Sequence, residues 1–293
     1  MAQFIVIGLV SGVVYGLAAL GLVLVYKGGR IFNFAQGEFG TITMYVLYFF
    51  VSLRKWDYFI AVPIALLVGV VLGLLTERWV VRPLRTAPKV VVLVGTAGVA
   101  LFLSGLEFLF AGVIPKTVQG PLSKHGPTIA GFVTTQQNVF ALVVLIAVAL
   151  STTWFFRKTY LGMAILANSQ DTTASRLAGV NTNRISAITW GIAGFLGALT
   201  GVILSTDVAF YPGFMTTIVL IPAFTAAVVG GITSVGGAFA GGLIVGLVEA
   251  LGAFLSTRFP GLSIVPELSL ALVFIVLLLM LSFRPRGLFG AET

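Results

Sequence analysis

Apolar runs of about twenty residues recur along the whole chain, separated by short polar or basic breaks, and this pattern predicts membrane-crossing helices. The runs fall at 4–26, 37–53, 59–77, 90–113, 137–156, 185–205, 217–235, 237–256 and 264–283. No segment shows the ten-residue alternation of a membrane β-barrel. The expectation is an all-α polytopic protein of about 8–10 transmembrane helices, forming a single transmembrane domain over 1–293. One region resists a clean count. Between 217 and 256 lie eight glycines and almost no charge before Glu249, which reads either as two crossings or as a re-entrant glycine-rich pair.

One inter-span stretch is both polar and helical in pattern, Tyr160 to Arg184. Met163, Leu166, Ala167, Ala174, Leu177 and Ala178 share a helical face, interrupted by Gln170 and Asp171, and Gly179 follows as a natural C-cap. Sixteen residues span roughly 24 Å, and the opposite face is too polar to enter hydrocarbon. Two readings fit: a helix lying on the membrane or on its own protein, or a docking helix for a soluble partner. The polar face carries only Asp171 and Arg176 as charges, whereas a surface anchor is usually richer in Lys and Arg.

Composition narrows the class further. Hydrophobic residues make up 58% of the 293 and charged residues 9%, far below the quarter of a soluble protein. The net charge of +8 does not point to nucleic acid, because the basic residues sit at span ends. Lys27, Arg30, Arg78, Arg82, Arg85, Lys89, Arg157, Lys158, Arg176, Arg184, Arg284 and Arg286 fall on one side. Arg54, Lys55, Lys116, Lys124 and Arg258 fall on the other. Twelve against five predicts an outer N-terminus, an inner C-terminus and a cytoplasmic 160–184 loop. A removable signal peptide is not expected, since 4–26 is too long and lacks a basic leader.

Small residues at four-residue spacing (Gly8, Gly12 and Gly16; Gly197 and Gly201; Gly237 with Gly241; Gly242 with Gly246) predict close helix packing in lipid. Within the spans Glu107 and Glu249 are expected toward the outer ends, and Glu38 and Glu77 toward the inner ends. With no acid near the midplane, ion-coupled transport is disfavoured. Cysteine is absent and His125 is the single histidine, expected in a solvated loop. There is no phosphate-binding loop and no HExxH, so no catalytic residue, metal site or cofactor is expected. A transporter without such parts must draw energy from a partner.

Four stretches then resemble one family in order. They are IFNFAQGEFG from Ile31 to Gly40, RLAGVNTNRISAITWGIAGFLGALTGVI at 176–203, AAVVGGITSVGGAFAGGLIVGLVEAL at 226–251 and RPRGLFG at 284–290. Together they resemble branched-chain amino-acid permeases of the LivH type, over nearly the whole chain. The resemblance implies the membrane subunit of an ATP-binding-cassette importer in a bacterial plasma membrane. It implies as partners two cytoplasmic ATPase subunits, a second permease (LivM-like or a copy of itself) and an extracytoplasmic substrate-binding protein. By the same resemblance 160–184 holds the coupling helix, with Gly162, Met163, Leu166, Asn168, Gln170, Asp171, Arg176, Leu177 and Gly179 as docking residues. Asn33, Gln36 and Glu38 match the family's NFAxGE-like motif, where histidine often replaces Gln36; they either line the path or brace a helix break. Asp207 and Tyr211, in the loop after the sixth span, are candidates to meet the binding protein. Urea and short-chain amide importers use similar permeases, and a self-contained channel is the alternative outside the class.

Overall fold

The computed structural model describes residues 2–121, 128–129, 132–133, 136–259 and 267–290; His125 and Lys124 lie outside these. Among the described residues twelve α-helices carry the fold: α1 (Ala2–Gly29), α2 (Gln36–Leu47), α3 (Tyr58–Thr76), α4 (Lys89–Ala111), α5 (Gln136–Lys158) and α6 (Tyr160–Gln170), then α7 (Thr172–Leu177), α8 (Thr182–Leu204), α9 (Phe214–Ile218), α10 (Leu220–Gly230), α11 (Val235–Arg258) and α12 (Leu268–Phe283). Beyond them, an antiparallel pair of two-residue strands joins Thr128–Ile129 to Phe132–Val133. Helix α2 runs on through a π-helical turn to Leu53, so the apolar run at 37–53 is one continuous rod.

Among the described residues six helices are long and apolar enough to cross a membrane: Gln3–Gly29, Tyr58–Val81, Lys89–Ala111, Val139–Lys158, Thr182–Leu204 and Val235–Arg258. The expected single run at 217–235 is instead two short helices. Pro222 has no N–H to offer the Ile218 carbonyl, so the ladder breaks between α9 and α10. With 11 residues α10 rises about 16 Å, short of a full crossing.

The chain divides into two compact units. One comprises residues 1–20, 122–150 and 221–293. Its helices meet along the glycines the spacing predicted: a Cβ on Gly246 would collide with the Gly8 carbonyl, and one on Gly242 with the Gly16 backbone. Helices α10 and α11 close in the same way at Gly230 and Gly237. The last carbonyls of α10 would be orphaned, but the Leu288 and Phe289 N–H groups donate to Val229 and Gly230 at 2.8 and 3.2 Å. Tyr15 donates its hydroxyl to Glu249 at 2.8 Å, which gives that acid a partner within the apolar bundle.

The other unit comprises 21–121 and 151–220. Its core is the α2, α3 and α8 cluster. Gly69 and Gly73 of α3 lie against Gly194 and Trp190 of α8 so closely that a Cβ on Gly73 would strike the Trp190 carbonyl. Gly201 faces the Gly40 carbonyl of α2 with equal closeness. Dispersion and CH···O contacts at such short range replace the hydrophobic drive that lipid removes. Asn181 starts α8 by accepting the N–H groups of Asn183 and Arg184, both at 3.1 Å.

Candidate functional site

The segment 160–184 differs from the single helix expected of it. Thr159 caps α6, its Oγ1 accepting the Gly162 N–H at 3.0 Å. Asp171 then turns extended (φ −146°, ψ 107°), ending α6 and starting α7. Its Oδ1 accepts the N–H groups of Thr173 and Ala174 at 2.8 and 3.0 Å. A carboxylate this close to the backbone favours capping over an interior helical site, which explains the break. Gly179 ends α7 at φ +80°, and Val180 and Gly179 donate to the Ser175 and Arg176 carbonyls at 2.9 and 3.0 Å, a Schellman ending.

Exposure sorts the expected docking residues. Leu177 is 87% exposed, Tyr160 71% and Met163 52%. Gln170, Asp171, Arg176 and Gly179 are exposed and Leu166 is half-buried. Gly162 and Asn168 are buried and cannot form part of an outer surface. Gly162 is small for another reason, since a Cβ there would run into the Phe155 carbonyl at the end of α5. Arg176 turns back toward α8, its Nε donating to Thr182 at 3.3 Å.

Beside this segment lies an ionic node. Glu77 is fully buried and accepts from Arg82 Nε and Nη2 at 3.3 and 2.6 Å and from Arg85 Nη2 at 2.9 Å. Arg85 also donates to Asn183 Oδ1 at the start of α8. Burial holds the Arg85 guanidinium below its ordinary value; Glu77 opposes this, while Arg82 and Arg176 add to it. A cavity of about 230 Å³ opens between this node, the end of α1, the start of α4 and α6–α8.

The Asn33–Gln36–Glu38 motif splits in two. Asn33 Oδ1 accepts the Ala35 N–H at 3.0 Å and its Nδ2 donates to Gln36 Oε1 at 3.2 Å. Gln36 Nε2 donates to the Ala193 carbonyl at 2.8 Å, and its side chain fills the space left by Gly21 and Gly197. These two residues brace the break between α1 and α2. Glu38 differs: it is 1% exposed and its Oε2 has no partner.

The sequence placed Glu38 and Glu107 toward opposite ends of their spans. The structure brings both to Gly213: Glu107 takes its N–H, and a Cβ built there would lie 3.8 Å from Glu38 Oε1. Gln36 lies beside Gly21, eight residues before the end of α1, so α2 begins about 12 Å inside that end. Glu107 Oε2 accepts the Gly213 N–H at 2.9 Å, while the buried Tyr45 hydroxyl has no hydrogen-bond partner among the described residues. Glu107, Tyr45 and Tyr48 line an otherwise apolar cavity of about 490 Å³. The partnering of these residues escaped the sequence; its only signal was the cost of a carboxylate within an apolar run. Asp207 is exposed and Tyr211 half-buried, in a loop tied down by paired 2.9 Å backbone bonds between Lys116 and Phe210.

Comparison with known proteins adds the following. The family model described as "Branched-chain amino acid transport system / permease component" matches residues 4–281. The high-affinity branched-chain amino acid transport system permease protein LivH of Escherichia coli is 33% identical over 300 residues, covering 97% of this chain and 93% of that protein. The corresponding permease BraD of Pseudomonas aeruginosa is 30% identical over 300 residues, covering 98% and 95%. Among solved structures, PsaBC from Streptococcus pneumoniae in complex with Fab superposes with a TM-score of 0.53 at 14% identity, covering 97% of this chain and 93% of that one. That last likeness concerns the fold alone.

Proposed function

The chain belongs to the family of branched-chain amino acid transport permease components, and from that premise we propose that it carries branched-chain or related aliphatic amino acids across a bacterial plasma membrane on ATP hydrolysed by partner subunits. The chain acts as a single permease domain with its N-terminus outside and its C-terminus in the cytoplasm. It contributes the path and the lever, and the chemistry belongs to its partners. Two ATPase subunits engage it, a second permease (LivM-like or a copy of itself) completes the path, and an extracytoplasmic binding protein delivers substrate at the Asp207–Tyr211 side.

The observation that carries this reading is the pair of short, firmly capped helices α6 and α7, which expose Tyr160, Met163 and Leu177 beside a basic span end. Large apolar side chains presented outward on short capped helices suit a partner groove. Binding and release of ATP in the partners would shift the permease between inward- and outward-open states through these helices. The test is co-purification of the full-length chain with its ATPase partner, wild type against a scramble of 163–178. Capture that the scramble abolishes supports the reading. Equal capture by both overturns the docking assignment.

A further inference from the structure

We propose that the polar cavity behind α7 binds a phosphate-type anion, free or as a lipid headgroup. Arg85, Lys89 and Arg176 line this space of about 230 Å³, converging from the loop before α4, the first turn of α4 and α7. Their charge is not neutralised locally. Glu77, the acid nearest the node, is already shared between Arg82 and Arg85, and two guanidiniums on one carboxylate leave a positive excess. Asp171 aims its Oδ1 at the α7 backbone instead. Among the described residues, no carboxylate lines the cavity.

A second observation points to an occupant. Asn168 is 4% exposed, it lines the same space, and its Oδ1, an acceptor, has no hydrogen-bond partner; the P–OH of a hydrogenphosphate, a glycerol-headgroup hydroxyl or a water of the anion's shell would supply the donor. A buried amide left open is costly unless something fills the site. The volume is several times the ~30 Å³ share of one water, enough for a phosphate group with part of its hydration. Arginine forks match phosphate oxygens in pairs, and basic pockets between helices at a membrane face suit phosphate headgroups. Trp190 and Val25, both buried, also line the cavity. An anion here would tie α7 to the start of α4, and only that consequence depends on the permease reading.

The experiment uses the purified full-length chain, wild type and Lys89→Gln/Arg176→Gln, two exposed positions that leave the Glu77 pairs intact. Thermal unfolding in detergent is followed with sodium phosphate against sodium chloride at equal ionic strength, together with tryptophan fluorescence, to which Trp190 beside the site contributes one of four indoles. Wild type should gain about 3 °C at phosphate tenfold above its Kd, and the double variant none. A parallel arm compares phosphatidylcholine nanodiscs with and without phosphatidylglycerol and weighs retained lipid by native mass spectrometry. Protection by phosphatidylglycerol alone assigns the site to a headgroup, and protection by phosphate assigns it to the free ion. Should the double variant fail to fold, Lys89→Gln alone carries the comparison, with Lys89→Arg as the rescue. The proposal is overturned if wild type gains no more from either phosphate source than from its control. It is equally overturned if the variants gain as much as wild type.

Discussion

Replacing Asp171 with alanine removes the acceptor of the Thr173 and Ala174 N–H groups, the two bonds that start α7. Loss of an N-cap acceptor costs about 1 kcal/mol, or roughly a fivefold change in the local helix equilibrium. Helix α7 has six residues, too few to be stable alone, and its exposed face adds little packing. If folded and frayed forms are near balance, the folded fraction falls about threefold; if fraying already dominates, it falls about fivefold. Affinity for the ATPase should weaken by the same factor, because docking draws only on the folded form. The assay is titration of the detergent-solubilised chain with its ATPase partner, for wild type, Asp171→Ala and Asp171→Asn. Asparagine keeps the cap and drops the charge, so it should bind within twofold of wild type (roughly; caps of Asn and Asp are comparable). Wild-type affinity in Asp171→Ala would refute the capping argument. An Asp171→Asn defect as large as that of alanine would show that the charge itself makes the contact.

Three further outcomes follow from the packing. Gly73→Val forces a side chain into the Trp190 carbonyl and should lower the yield of folded protein in detergent, read by gel filtration, whereas the same change at Gly98, where a Cβ meets nothing, should not. Glu77→Ala strands Arg82 and Arg85; because both guanidiniums are about a quarter exposed, the loss should be about 1–3 kcal/mol rather than that of a fully buried pair, read from thermal unfolding, with Glu77→Gln recovering part. Leu177→Asp, at a side chain 87% exposed, should leave unfolding within about 0.5 kcal/mol of wild type yet reduce ATP-driven uptake at least about tenfold, measured with labelled leucine.

Features that depend on local pattern were legible in the sequence. The glycines at 8, 12 and 16 and at 242 and 246 predicted close packing, and they meet each other across one seam. Gly179 was placed as a C-cap and takes the left-handed conformation. What escaped depends on where segments return in space. The single helix expected over 163–178 ignored the competition that Asp171 offers the backbone, although Gln170 and Asp171 already interrupted the apolar face. The meeting of Glu38 and Glu107 follows from the turn at Arg30, where φ is +55°, and from the brace of Asn33 and Gln36, which start α2 inside the bundle. Span counting places residues by their distance along the chain and is blind to such a return. The α3–α8 seam was missed for a related reason: Gly69 and Gly73 have the right spacing, but their partners Gly194 and Trp190 lie more than a hundred positions away.

The central claim is a permease that moves aliphatic amino acids only when a docked ATPase drives it. Uptake of labelled leucine into proteoliposomes holding the chain, its second permease and its binding protein, with and without the ATPase and ATP, tests this most directly. Accumulation above the external concentration that needs both ATPase and ATP, and that Leu177→Asp abolishes, is the predicted result. Equilibration of leucine by the chain alone, indifferent to ATP and to Leu177→Asp, would contradict the account and identify a self-contained channel.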